Sequence, residues 1–486
     1  MFKKLIILLL LLGLLSSGIT VFAYVDTDYA INSSGEKQDI PVTYTCNLVY
    51  QNFGENVGYL NMPEDLFLDD KGILYIADTG NNRIVRFDPI TGKASQITGP
   101  DDSPLNAPKG VYVDEHGDLF VADTGNQRVA HLDSLGTLVE EFTKPESALL
   151  DSEEVFAPDK IYVNEMNMLY VKQGKQFMII SPTNEFEGYA GAPEVGFDLT
   201  QVLINIFASA AQKSRLEIRE PAQYSNFLIK DGLIYASSLA ESGQLRKISA
   251  TDKNSYPDKT YGETTVLDNS ASTEGVAVKN PQFVDIAVDN NNILYTVDQN
   301  SGRIYQYDQE GNLLAVFGGT GSLKGRFESP VSLVVDANGQ VYVLDSIQNA
   351  VHLFEPTEFI KHVHEAITLY YDGDYEKAAI IWKKVLLTDA EYYMANSGIG
   401  NTLYKNEKYK EALSYFHTAN DKNGYSKAYG RWLQQIVKTN FLWIVLGLVA
   451  LLAGIGFLIY QMRRISNHFL EKSYGFSSDQ KHRNSY

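Results

Sequence analysis

Six aromatic residues, Tyr75, Phe120, Tyr170, Tyr235, Tyr295 and Tyr342, mark a repeat whose intervals are 45, 50, 65, 60 and 47 residues. An internal period constrains a fold more than composition does, because each unit must be one supersecondary element that buries its apolar face against its copies. Alternating runs such as "LFLDDKG", "VYVDEHG", "IYVNEMN", "IAVDNNN" and "LVVDANG" precede these anchors, after prolines at Pro63, Pro108, Pro158, Pro281 and Pro330. Each reads as strand, tight turn, strand. A third alternating run follows the anchor ("RIVRFD", "RVAHLD", "RIYQYD", "AVHLFE") and often a fourth, as in "NLLAVFGG". Four short strands at a period of this length predict a propeller blade, and six anchors predict six blades, so the fold class is mainly β. The sixth unit stops at Phe354-Glu355-Pro356 without an outer strand, whereas Val42 to Gln51 is a strand without a unit. The N-terminal strand is expected to complete the last blade and remove an exposed sheet edge. That places Cys46, the single cysteine, in an outer strand as a partly buried residue and not a nucleophile.

Asp-Thr-Gly occurs twice, in "YIADTGNNRIVRFD" and "FVADTGNQRVAHLD". Two such triplets in separate lobes would make an acid dyad. Here they lie 45 residues apart and are followed by Asn81 and Asn126 instead of serine or threonine, which argues against a protease. Asp78, Asp123, Asp298 and Asp345 all fall three residues after an anchor, where strand two turns into strand three. Aspartate there is expected to accept from the backbone amides that follow, as an Asx-turn. Arg83, Arg128 and Arg303, eight after the anchors, are expected to pair with these aspartates as surface ion pairs. The pattern of proline, alternating strand, "G-x-ϕ-Y-V-A-D-x-x-N-x-R" and alternating strand resembles the NHL-repeat family over roughly Pro41 to Pro356. Gln173 and Ser238 replace the aspartate in units three and four. The resemblance implies a propeller and no single activity.

The residues that follow the blade prolines, Glu64, Lys109, Asp159, Gln282 and Val331, are expected to approach the central channel and are the candidate binding residues there. Among propeller enzymes, calcium-dependent lactonases resembling gluconolactonase line this mouth with glutamate, asparagine and aspartate. That resemblance supplies the alternative reading, with calcium as its cofactor, although a ring containing a lysine, a valine and two carboxylates suits calcium poorly. Streptogramin-lyase-like chemistry finds one histidine-bearing turn, at His116. The chain has no His-Glu-x-x-His, phosphate loop, Gly-x-Ser-x-Gly elbow or paired cysteines, and His362 and His364 lie two apart on a helix, on different faces. Catalysis and cofactors are therefore not expected.

"DLTQVLINIFASAAQ", residues 198–212, has helical apolar spacing and reads as an inserted amphipathic helix, packed on the propeller or set over the channel. After Pro356 the pattern becomes helical. Tyr375 and Tyr409, Ala378 and Ala412, and Trp382 and Phe416 repeat at 34 residues, which resembles two tetratricopeptide repeats. Tyr371, Tyr392, Tyr393 and Tyr404 are expected to line a peptide-binding concave face; the alternative is a spacer packed beneath the propeller.

Two lysines and the leucine run up to Ala23 read as a signal peptide, and Phe441 to Tyr460 is uncharged and long enough to cross a bilayer. Arg463 and Arg464 follow it, so the positive-inside rule places the tail in the cytoplasm and the body outside. The expected organisation is signal peptide 1–23, linker 24–40, propeller 41–356, tetratricopeptide-like module 357–438, transmembrane helix 440–461 and cytoplasmic tail 462–486. An exported body without disulfides points to a single-pass protein of a bacterial cell membrane. A net charge of −19 disfavours nucleic acid as a partner. The expected function is extracytoplasmic binding or scaffolding, with a protein, peptide or glycan ligand and a membrane-protein partner such as a transporter.

Overall fold

A computed structural model describes residues 27–32, 34–147, 150, 155–174, 176–190, 224–240, 242–249, 253–263, 265–267 and 277–474. The expected signal peptide, the inserted helix 198–212 and the last tail residues lie outside them. The chain forms two units, one up to Ala395 and the other from Asn396.

The first unit carries a six-bladed β-propeller. Blade one runs from channel to rim as Asp65–Leu68, Leu74–Asp78, Arg83–Asp88 and Lys93–Ile97. Blade two is Gly110–Val113, Leu119–Asp123, Arg128–Leu132 and Leu138–Phe142, and blade three is Lys160–Val163, Leu169–Gln173, Gln176–Ile180 and Phe186–Ala190. Blade four pairs Tyr224–Lys230, Leu233–Ser238 and Leu245–Ile248. Blade five is Phe283–Val288, Leu294–Asp298, Arg303–Tyr307 and Leu313–Gly318. Blade six is Pro330–Val335, Val341–Asp345 and Ala350–Pro356, completed antiparallel by the N-terminal strand Tyr44–Tyr50. The ring closes there, where unit six lacked a strand of its own. The stretch expected to be a linker does more than link from Thr27 onward: Tyr29–Ile31 and Lys37–Asp39 extend the rim of blade five to six strands. Tyr29 anchors this extension, buried, with its hydroxyl donating to Glu263 at 2.6 Å and the Arg303 guanidinium 5.0 Å from its ring centre.

The apolar core lies between blades. Leu66, Ile76 and Val85 of blade one meet Tyr342, Leu344 and Val351 of blade six, while Ala77 and Ile84 on the other face meet Val111, Val121 and Ala130 of blade two. Period-two alternation is satisfied on both faces because each sheet has a neighbour on either side.

Every letter of Asp-Thr-Gly serves this packing. Asp78 and Asp123 accept, through Oδ1, from the backbone of Asn61 and Asn106 at 2.7 Å, pinning the loop that enters their own blade. Through Oδ2 they hold Arg83 Nε at 2.7 Å and Arg128 Nε at 2.9 Å. Both aspartates are fully buried, so these pairs are interior contacts and not the surface pairs expected. The threonines tie one blade to the next: Thr79 donates to Pro108 O and Thr124 to Pro158 O, each at 2.7 Å. A Cβ on Gly80 or Gly125 would meet the carbonyl oxygen of Asn61 or Asn106 at 2.6 Å. In blades one and two the aspartate therefore reaches back 17 residues instead of forming the expected local turn. Asp298 and Asp345 do both, accepting from Gln282 N and Asn300 N, and from Glu328 N and Gln348 N.

Beyond blade six, α1 (Glu358–Tyr371), α2 (Tyr375–Thr388) and α3 (Tyr393–Lys405) begin the helical region. Three of the four tyrosines expected on a concave face are bonded to blade five instead. Tyr371 donates to Asp308 at 3.0 Å, Tyr392 to Leu314 O at 3.0 Å and Tyr393 to Leu313 O at 2.6 Å, and burial raises all three phenol pKa values. The fourth strand of blade five offers the carbonyls of Leu313 and Leu314, and phenols can satisfy them while burying a ring.

In the second unit, α4 (Tyr409–Thr418) packs against the start of α5 (Lys422–Tyr474). Phe416 is the centre: a Cβ on Gly400 or Gly424 would fall within 3 Å of its ring, so the glycines make its seat. Tyr404 is half-buried beside this cluster, with its ring 5.3 Å from Tyr409. Helix α5 contains the one stretch among the described residues long and apolar enough to cross a membrane, and none of that stretch is buried.

Candidate functional site: the axial ring and channel mouth

The innermost strands deliver one residue each to the propeller axis at the same register. Asp65, Gly110, Lys160, Asn226, Asp285 and Ser332 each stand opposite the residue two after the blade's anchor: Ala77, Ala122, Lys172, Ser237, Val297 and Leu344. In blades four, five and six a bulge precedes this position, between Tyr224 and Asn226, Phe283 and Asp285, and Pro330 and Ser332. A bulge re-aims the side chain that follows it, here toward the channel.

The five side chains form one hydrogen-bonded network. Lys160 Nζ donates to Asp65 Oδ1. Asp65 also accepts from Val111 N at 3.0 Å, and Ser332 Oγ lies 3.3 Å from it. Asp285 accepts from Ser332 Oγ at 2.6 Å, Leu333 N at 2.7 Å, Ile286 N at 2.8 Å and Asn226 Nδ2. The Asn226 amide is oriented by Phe227 N, which donates to its Oδ1 at 2.7 Å. Asp65, Asn226, Asp285 and Ser332 are buried. Desolvation lifts the Asp285 pKa to about 6 against the opposing pull of Lys160. Desolvation lowers that of Lys160, but Asp65 and Asp285 outweigh it, so the ammonium stays charged with a raised pKa. Gly110 completes the ring by absence: a Cβ there would meet Asp159 O at 2.5 Å. Blade three's inner strand thus comes close, and Lys160 reaches Asp65 of blade one.

Above this floor opens a mouth cavity of about 410 Å³. Glu64, Lys109, Asp159 and Val331 line it as expected from the sequence, joined by Lys172, Ser225, Gln299, Ser329 and Ser346. Gln282 does not. In blade five the proline stands four residues before the axial position, so Val284 takes the lining place, while Gln282 N is bound by Asp298. The rim charges are paired, Lys109 with Glu64 at 3.3 Å and Lys172 with Asp159 at 3.1 Å. No aromatic side chain lines the cavity among the described residues. Sequence reasoning stopped one residue short of the network. The signal was present as a polar residue ten before four of the six anchors (Asp65, Lys160, Asp285 and Ser332) and nine before a fifth (Asn226), on strands otherwise apolar.

Elsewhere chemistry is sparse. His116 sits on an exposed turn at the opposite end of blade two, 3.5 Å from Asp114. His352 and His364 are buried, and desolvation lowers their pKa values to about 4 and about 3. Cys46 is half-buried in the closing strand, its thiol pushed up to about 11 by burial. Among the described residues no group of three or more His, Cys, Asp or Glu side chains is arranged to hold a metal ion.

Residues 60–87 and 105–132 match the model of the NHL repeat. No curated protein matches the chain in sequence. Among solved structures it is similar to a streptogramin B lyase, with 14% identity over 68% of this chain and 86% of that one and a TM-score of 0.37. It is also similar to a catalytically inactive virginiamycin B lyase from Staphylococcus aureus with quinupristin, with 11% identity over 67% and 86% and a TM-score of 0.39. The chain therefore carries NHL repeats within a six-bladed β-propeller followed by a helical region.

Proposed function

We propose that this is a membrane-anchored recognition protein whose propeller mouth binds a polar, charge-bearing ligand outside the cell, a peptide or a glycan. The observation that supports it most is the mouth itself: a cavity of about 410 Å³ into which several blades send charged and hydroxyl side chains above a buried polar floor. Pockets that combine a fixed floor with a few convergent polar groups are where small ligands bind. With no aromatic side chain among the described lining residues, selectivity there rests on hydrogen bonds and charge. The part-exposed pair Lys109–Glu64 contributes about 0–1 kcal/mol, so a ligand can compete for its charges, whereas Lys172, which holds Asp159, is itself buried.

The helical region serves as an anchor and spacer in this reading. Burial of Ala378 and Trp382, and of Ala412 and Phe416 34 residues later, supports two tetratricopeptide-like hairpins. The exposed apolar stretch of α5, with Arg463 and Arg464 after it, supports a single span with the tail inside; contact with another membrane protein, such as a transporter, belongs to the same proposal. The test is binding by the full chain in detergent to arrayed peptides and glycans. A ligand whose binding falls at least tenfold with Lys109→Ala and Glu64→Ala together supports the mouth; binding untouched by both removes it. The lactonase alternative requires calcium-dependent turnover of a lactone by the same preparation.

A further inference from the structure

Two carboxylates, Asp65 and Asp285, are buried at the axis and share one hydroxyl, that of Ser332. Two carboxylates this close cannot both stay ionised without a counter-charge. In calcium-dependent propellers a metal supplies it, ringed by six to eight oxygens. Here the surroundings are those of an anion. Asn226 turns its amide nitrogen, not its oxygen, toward Asp285, the Ser332 hydroxyl donates its proton there, and the backbone of Ile286 and Leu333 donates too. Among the described residues, the cation bonded to this pair is the chain's own: Lys160 Nζ donates to Asp65 and is attracted by Asp285. A bound calcium ion would have to displace this ammonium and recruit oxygens that the Asn226 amide now points away.

We infer that the Lys160 ammonium is a built-in cation that occupies the axial site and makes the channel mouth independent of divalent metal. The residues present do not fit calcium, and Lys160 is the reason. Its placement depends on two local features: the axial register of blade three and the glycine at 110, which admits that strand. The lysine is thus a specificity-determining residue, separating this mouth from metal-dependent ones.

The experiment measures metal binding without any ligand, so its outcome is separate from that of the recognition reading. The full chain in detergent is titrated with calcium by calorimetry, and its unfolding midpoint is followed with calcium or chelator. The wild type is expected to show no saturable binding and the same midpoint in both. Lys160→Met is expected to unfold at a lower temperature in chelator and to regain several degrees with calcium, because a ligand that binds only the folded state stabilises it. Adding Asp65→Asn should abolish that gain. Calcium binding by the wild type that Asp65→Asn removes would overturn the inference. So would a Lys160→Met protein with an unchanged midpoint and no calcium response. Should Lys160→Met be recovered folded only when purified with calcium, the inference stands; should it be lost even then while Lys160→Arg folds, the site does not accept a metal cation and the inference fails.

Discussion

The chain buries aspartate beside a cation in two kinds of place, and they differ in origin. At the turn between strands two and three, Asp78 and Arg83 are five residues apart, and the pair recurs in blade two as Asp123 and Arg128. On the axis, Asp65 and Lys160 are 95 residues apart and come from blades one and three. A polar residue repeated in every unit does something every unit needs, which is to hold a loop. A polar residue at an equivalent position whose identity changes from blade to blade is free of that duty. The axial series Asp, Gly, Lys, Asn, Asp, Ser is of this second kind, and it forms the floor of the mouth cavity.

Substitutions can separate the two. Asp65→Ala strands Lys160 at the axis, and removing one partner of a buried pair costs about 3–5 kcal/mol; it should give the largest fall in unfolding midpoint. Replacing both, as Asp65→Leu with Lys160→Met, still leaves Asp285 without its counter-charge, so rescue should be partial. Full rescue would show that Asp285 does not depend on the lysine. Asp78→Asn keeps an acceptor for Asn61 N but withdraws charge from Arg83, which also donates to Gln96 and Tyr59 O. A loss of about 1–2 kcal/mol is expected, and a loss as large as that of Asp65→Ala would erase the distinction.

Acid separates regions by sign. His352 and His364 have folded pKa values below their ordinary value, so the unfolded chain binds protons more tightly and stability is lost as pH falls from about 6.5 toward 4 for His352 and toward 3 for His364. Asp285, raised to about 6, acts oppositely: its contribution is present below its ordinary value near 4 and declines as pH rises to 6. His364→Leu should flatten the acid limb of a midpoint-against-pH curve, and an unchanged slope would mean that this histidine is not buried. The smallest effect is expected at the helix docking: Tyr393→Phe removes one hydrogen bond to Leu313 O and should cost about 1 kcal/mol by urea unfolding.

Blade count and closure were readable because local patterning repeats. Each anchor, turn aspartate and inner strand is specified within about 25 residues, and the N-terminal strand at Val42 to Gln51 was recognisable by the strand that unit six lacked. The axial network was not readable to the same degree, since a residue's place in a strand predicts that it faces the channel but not which charge faces it from another blade. Gln282 illustrates the limit: a proline offset and a bulge in blade five shifted the lining position to Val284. The tyrosines Tyr371, Tyr392 and Tyr393 illustrate another, because an aromatic face on a helix reads the same whether it awaits a ligand or a sheet edge. Blade five decided that question, through the Asp308 carboxylate and the carbonyls of Leu313 and Leu314.

By itself, then, the sequence determined the repeat, the number of blades, the strand that closes them and an apolar stretch long enough to cross a membrane, all set by short-range periodicity and turn chemistry. Only the tertiary structure decided that Lys160 bonds Asp65 of another blade and that Tyr371, Tyr392 and Tyr393 are anchors. Those contacts join residues scores of positions apart, and only ring closure and helix packing bring them within hydrogen-bonding distance.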